Sequence, residues 1–225
     1  MLLRPHFVRD YRRMVRGFIA QYGRAEAMER AVGGGGDAVG SLHVALLRDA
    51  GLRDTDYLID VGCGTGRTAL ALRDVATLRY LGTDVVPELL AHARERVARP
   101  DWRFALVDRL VIPEADAKAD MVVMFSVLTH LSAREGRKYL GEAVRVTRPG
   151  GRIIVSFLDQ AIALHQKTAG GWFDQLYNRL RGTSVKNVVL DRHEIETWAR
   201  DLRLAVQFHG PERIGQSYCV FTTSE

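Results

Sequence analysis

Cysteine and proline are scarce: two cysteines, Cys63 and Cys219, and six prolines occur in 225 residues. Two thiols cannot build a disulfide framework or a cysteine-rich zinc cluster. No apolar run reaches the ~18 residues that a membrane-spanning helix needs. The start, Met1-Leu2-Leu3-Arg4-Pro5-His6, lacks the apolar core of a secretory leader. A cytoplasmic, soluble chain is therefore expected. Repeats are absent, and low complexity is confined to Gly33-Gly34-Gly35-Gly36. What is present is globular: 47% hydrophobic and 26% charged residues, enough for one large domain or two small ones.

The net charge of +5 raises nucleic acid as a partner, but its distribution argues against one. Residues 1–30 carry seven arginines against Asp10, Glu26 and Glu29, so nearly all the excess sits in one segment. In that segment Phe7, Val8, Tyr11, Met14, Val15, Phe18, Ile19 and Tyr22 fall at helical spacing, with arginines opposite. The simplest reading is an amphipathic helix whose apolar stripe docks on the main domain. The four glycines then predict a flexible joint. Residues 1–40 are expected to form a lid, and 41–225 the main domain.

The remainder alternates. Short apolar strands are predicted at 57–61, 78–83, 102–107, 119–125 and 152–157. Helices are predicted at 42–50 with Ser41 as cap, at 65–75, at 87–97 with Pro87 in the first turn, and at 132–148. Ser132 and Glu135 have the spacing of a capping box, and Asp191 and Glu194 predict a second one. Pro149-Gly150-Gly151 is expected to stop the fourth helix. Two further strands, 204–208 and 217–221, lie too close together for a parallel crossover and must pair antiparallel. The predicted fold is α/β: a mostly parallel sheet with helices on both faces, closed by an antiparallel hairpin.

The chemistry concentrates at three strand ends. Leu58-Ile59-Asp60-Val61-Gly62-Cys63-Gly64-Thr65-Gly66 runs an apolar strand into a turn with glycine at alternate positions, which lets backbone approach a ligand closely. A dinucleotide fingerprint would place a third glycine where Arg67 stands, which weakens a nicotinamide reading. Asp84, twenty residues after Gly64 and followed by Val85, can accept from a ribose diol. Asp108-Arg109, past the third strand, can meet an adenine. The carboxyl ends of neighbouring parallel strands lie on one edge, so these three signals converge on an adenosyl group.

Asp60-Val61-Gly62-Cys63-Gly64-Thr65-Gly66 resembles the first motif of class I S-adenosylmethionine-dependent methyltransferases. Asp84, Asp108, Phe125-Ser126-Val127-Leu128-Thr129-His130-Leu131 and Arg148-Pro149-Gly150-Gly151 come after it in that family's order, over roughly residues 55–157. The resemblance implies a seven-stranded sheet, parallel except for one strand, and S-adenosyl-L-methionine as cofactor. It implies cofactor contacts from Asp60, Gly62, Cys63, Gly64, Gly66, Arg67, Asp84, Val85, Asp108, Arg109, Phe125 and Ser126.

His130, just past the fourth strand, is the candidate general base. No metal is expected, because no acidic cluster lies near the end of the fourth strand. An Asn/Asp-Pro-Pro-aromatic motif is absent there, and neither cysteine is placed to attack a cytosine ring. The expected activity is O- or N-methylation of a small polar molecule, sugar or glycan. Residues 158–190, with His165, Trp172, Phe173 and Tyr177, are expected to form an acceptor-side insertion. Two alternatives remain: a non-catalytic cofactor-binding protein, and an RNA methyltransferase using the basic helix.

Overall fold

The structure, a computed structural model, describes residues 5–169, 187–211 and 213–224. Strand β1 (Tyr57–Val61) is buried on both faces, as an apolar parallel strand should be. Tyr57, Ile59 and Val61 face one core, while Leu58 faces the other. It pairs in parallel with β2 (Arg79–Asp84), which pairs with β3 (Arg103–Leu106). On its other side lies β4 (Ala119–Met124), and beyond that β5 (Thr147–Asp159). The chain thus runs outward from β1 to β3 and returns to β4, and the sheet switches direction between β1 and β4. Ligands bind at such a point because the loops there diverge and leave a crevice.

Strands β7 (Leu204–His209) and β8 (Ser217–Thr223) complete the order β3-β2-β1-β4-β5-β8-β7. β8 lies antiparallel to both β5 and β7, as the short connection requires. The two-residue strand β6 (Val189–Leu190), which periodicity does not reveal, adds in parallel to the end of β5.

Helices cover both faces. One core packs α6 (Ala133–Val146) and α8 (Arg192–Asp201) against the sheet through Tyr139, Leu140, Ile195 and Trp198. The other packs α3 (Gly36–Asp49), α4 (Arg67–Leu72) and α5 (Pro87–Val97) through Leu46, Leu47, Leu72 and Leu90. A short helix, α7 (Ala163–Ala169), comes after β5.

The N-terminal segment forms two helices, α1 (His6–Tyr22) and α2 (Arg24–Ala31), where one was expected; Gly23 separates them. Phe7 and Val8 enter the central core, and Val15, Ala27 and Met28 pack on Val86 and Leu89. The arginines are not simply solvated. Arg12 Nε donates to the Val85 carbonyl at 2.7 Å, and Arg16 and Arg24 reach Glu88 and Glu95 on α5.

In the glycine stretch the Gly34 N–H bonds to the Glu29 carbonyl at 2.9 Å. Several expectations need correction. Helix α3 starts at Gly36 rather than after Ser41. Gly40, inside it, sits where a Cβ would lie 2.3 Å from the Arg67 carbonyl, so this glycine is a close contact with α4 and not a break. The capping box at Ser132 and Glu135 forms, but Asp191 accepts from the His193 N–H without a reciprocal bond from Glu194. Pro149-Gly150-Gly151 lies within β5, whose first residue already pairs with Ala119.

Candidate functional site

The glycine turn is tied to the end of β2. The N–H groups of Gly62 and Cys63 both donate to the Thr83 carbonyl, at 2.8 and 2.9 Å. The Gly64 N–H donates to Asp84 Oδ2 at 2.9 Å, and the Val86 N–H to Asp84 Oδ1 at 2.8 Å. Each Asp84 oxygen keeps a lone pair after these bonds. Asp60, one strand over, accepts from the Tyr80 hydroxyl at 2.7 Å.

Both carboxyls are buried, and among the described residues neither has an ion-pair partner. Burial pushes Asp60 up to about 7 against the opposing Tyr80 hydrogen bond. It pushes Asp84 up to about 6 against its backbone N–H bonds. The fields of Arg67 at Asp60 and Arg12 at Asp84 oppose this only in part, which leaves room for a ligand that brings hydrogen-bond donors and positive charge.

Above them lies a cavity of about 750 Å³, within the range of small-molecule sites, roughly 300–1,000 Å³. Gly62, Gly64, Asp84, Val85, Phe125 and Ser126 line its sheet side. Phe7, Tyr11, Met14 and Phe18 of α1, together with residues 32–34, line the opposite side. These α1 residues are the apolar stripe whose spacing the sequence displays. His130, at the end of a single 3-10 turn (Leu128–His130), reaches the wall and meets Tyr11 edge-on, ring centroids 5.2 Å apart. A smaller cavity, about 40 Å³, is lined by Asp60, Cys63, Thr68 and Arg67 and shares Gly62, Gly64, Phe125 and Ser126 with the larger one.

Some expected site residues lie elsewhere. Gly66 lines neither cavity; a Cβ there would come 2.9 Å from Ala93 Cβ, so it serves the packing of α4 against α5. Asp108 and Arg109 form an exposed ion pair with each other at 3.1 Å, and their neighbour Val107 lines the cavity instead. Cys63 and Asp60 reach only the smaller cavity. Trp172, Phe173 and Tyr177 lie outside the described residues. His165, a weaker candidate base, is buried and bonded to the Asp159 N–H and the Gly215 carbonyl.

Residues without a sequence signal also enter. His43 stacks on Phe125 at 3.9 Å and shares a 2.9 Å hydrogen bond with Thr68 Oγ1. Burial, aided by the positive field of Arg67, lowers its pKa to about 3, so the ring stays neutral. Arg67 itself reaches back to the Gly34 carbonyl at 2.8 Å and ties the glycine turn of residues 33–36 to the site. Gln216, Ser156 and Tyr139 line the cavity from three separate elements. No group of three or more metal-ligating side chains occurs among the described residues.

Comparison with known proteins decides what this crevice belongs to. Residues 58–151 match a family described as a methyltransferase domain. A probable S-adenosylmethionine-dependent methyltransferase of Mycolicibacterium smegmatis is 38% identical over 99 residues, covering 44% of this chain and 37% of that protein. A demethylmenaquinone methyltransferase of Thermus thermophilus is 37% identical over 101 residues, covering 44% and 45%. A chain from the complex between the Haloferax volcanii Trm112 methyltransferase activator and a methyltransferase superposes over 100% of both chains, with TM-score 0.69 and 19% identity. Residues 58–151 thus match a methyltransferase domain, and the chain shares the fold of a solved methyltransferase.

The Mycolicibacterium smegmatis relative is named for S-adenosylmethionine, and a geranyl diphosphate C-methyltransferase of the same fold is solved with S-adenosyl-L-homocysteine. The glycine floor, the two buried acids and the cavity volume fit S-adenosylmethionine, which carries a diol, an ammonium and a sulfonium. The chain spans less than half the length of the curated relatives named above. Among the described residues no helix is long and apolar enough to cross a membrane.

Proposed function

We propose that the chain transfers the methyl group of S-adenosylmethionine to an oxygen or nitrogen of a small molecule, and that it is a catalyst rather than a passive binder of the cofactor. The observation that carries this reading is buried Asp84 in a cavity that continues past it to His130 and Ser126, with buried Asp60 in the smaller cavity adjoining it. A binder needs the first half of that arrangement. An enzyme needs both.

In this reading Asp84 accepts from the ribose diol with its remaining lone pairs, and Asp60 faces the amino end across the smaller cavity. Gly62 and Gly64 let backbone lie against the ligand, and Val85, Leu89 and Val107 supply apolar walls for the base. Phe125, held flat by neutral His43, borders the methionine end. Bound there, the cofactor supplies an electrophilic methyl on a sulfonium. The protein's part is to position the acceptor in line, exclude water and receive a proton. Helix α1 excludes water with Phe7, Met14 and Phe18. His130 is the proton acceptor for a hydroxyl. Residues 1–40 serve as the cover of the site, and 158–190 contribute to its acceptor side.

The RNA reading loses support from the arginines. Arg12, Arg16, Arg24 and Arg30 are each engaged within the chain. The test is formation of S-adenosylhomocysteine, tracked by chromatography, with a panel of small hydroxyl, carboxyl and amino compounds. Cofactor binding with no turnover across an extract-derived panel would return the protein to the passive class. His130→Ala should lower turnover by about 10²–10⁴-fold at unchanged cofactor affinity. Full activity of that variant would remove His130 from the mechanism.

A further inference from the structure

Gln216 stands between two anchored residues. The Gly215 carbonyl accepts from His165 Nε2 at 3.2 Å, while His165 Nδ1 accepts the Asp159 N–H at 2.9 Å. Those two bonds place the ring proton on Nε2. On the other side Ser217 Oγ donates to Asp159 Oδ2 at 3.3 Å. The same buried carboxylate is held by Arg192 Nε at 2.7 Å and the Ala161 N–H at 2.9 Å. The backbone that carries Gln216 is therefore fixed from both sides.

Its carboxamide closes a ring with two serines. Ser156 Oγ accepts the Ser126 N–H at 2.7 Å, so its own proton goes to Gln216 Oε1, also at 2.7 Å. That assigns the amide: Gln216 Nε2 faces Ser126 and donates to its Oγ at 3.0 Å. Ser126 Oγ keeps its own proton, which it can donate into the cavity it lines. Ser126 also has φ 58°, the left-handed region that a serine rarely adopts. The ring and the Thr129 Oγ1 bond to the Ser126 carbonyl, at 2.9 Å, hold it there. Backbone held in such a conformation is a pointer to function. All three ring residues line the large cavity.

The cavity around this hydroxyl has a definite chemistry. Asp84 is the one carboxylate among the described residues lining it, and it lies on the glycine-turn side. Phe7, Leu131 and Leu158 give the walls beyond apolar surface, beside the uncharged polar groups of Thr129, Thr168 and Asn187. In the large cavity Asp84 is the carboxylate on offer to an ammonium, on the glycine-turn side, whereas an oxygen lone pair would find the Ser126 hydroxyl as a donor.

We propose that Ser126, oriented by Gln216 and Ser156, positions the methyl acceptor, and that the acceptor is a neutral or anionic oxygen compound on an apolar body, such as a phenol, enol or carboxylic acid, rather than an amine. This rests on the methyl-transfer reading and narrows it.

The test loads the protein with S-adenosylhomocysteine, confirmed by calorimetry for each variant. Three probes sharing one body, 4-phenylphenol, biphenyl-4-carboxylate and 4-phenylbenzylamine, are then titrated by ligand-observed NMR. At least one oxygen probe should bind at least tenfold more tightly than the amine. Ser126→Ala should weaken the oxygen probe about tenfold. Gln216→Glu is the sharper variant: a carboxylate keeps the shape but cannot donate, so it takes the Ser126 proton and should weaken the oxygen probe as much. Equal or tighter amine binding, no binding of either oxygen probe, or unchanged affinity in both variants would overturn the assignment. Absence of S-adenosylhomocysteine binding by the unsubstituted protein is a separate outcome; it would remove the methyl-transfer reading and this proposal with it.

Discussion

The two halves of the cavity are built in opposite ways. The glycine-turn half comes from one continuous stretch, β1 through β2, and relies on backbone groups and two carboxyls within 25 residues. The far half assembles Tyr11, Ser126, His130, Ser156 and Gln216 from four places in the chain and relies on side chains. A contiguous backbone motif cannot change ligand without losing its geometry. Dispersed side chains on a shared scaffold can be exchanged one at a time. This is the physical basis for one cofactor serving many acceptors on one fold.

The sharpest way to break the comparison is to fill the glycine half. Gly64→Val places a branched side chain at a position with φ 55° and 3.0 Å from Val32 Cγ1. Cofactor binding should fall below detection by calorimetry; a near-normal dissociation constant would mean that the turn does not touch the ligand. Asp84→Ala, a milder change in the same half, should weaken binding by about 1–3 kcal/mol through loss of a charged acceptor.

Acidity separates the halves next. Asp60 at about 7 and Asp84 at about 6 both lie above their unfolded value of 3.8. The unfolded chain therefore releases these protons first, and the cost of burying two charges appears as pH rises from about 4 to about 7. Stability of the ligand-free protein from these groups should fall across that window. Cofactor affinity should do the reverse, rising from pH 5 to 8 as both acids ionise toward a diol and a cation. Asp60→Asn should flatten the upper part of that rise. A pH-independent dissociation constant in the unsubstituted protein would show that neither acid senses the ligand.

The smallest expected effect lies behind the far half. Arg192→Ala removes the guanidinium from buried Asp159, but the arginine is 41% exposed, so water offsets part of the loss. A destabilisation of about 1–3 kcal/mol is expected, seen as a lower melting temperature. An unchanged melting temperature would mean that the Asp159 cluster does not brace this side.

The same contrast governs what could be read in advance. Strand positions, the parallel order, the hairpin and the Ser132 cap all arise from local spacing. Gly62, Gly64 and Asp84 belong to a motif whose spacing is itself the geometry. Gly66, Asp108 and Arg109 share that spacing yet lie off the cavity, because a motif fixes the backbone path and not the neighbour each residue meets. His43 and Gln216 carried no local signal. Their roles come from stacking on Phe125 and bonding to Ser126, contacts that exist only after β1, β4, β5 and β8 are side by side. The missed start of α3 has a similar cause: Gly40 belongs inside the helix because of its close contact with α4, which local spacing does not show.

Strand β8 comes after β7 in the chain yet lies inside it, between β7 and β5. β7 therefore has no seat until β8 has entered the gap, and Gln216, at the threshold of β8, arrives with that insertion. Residues 57–125 could gather the donor's half of the crevice earlier, from neighbours close along the polypeptide. During synthesis the pocket would then take shape in two instalments, with recognition of the acceptor the later one.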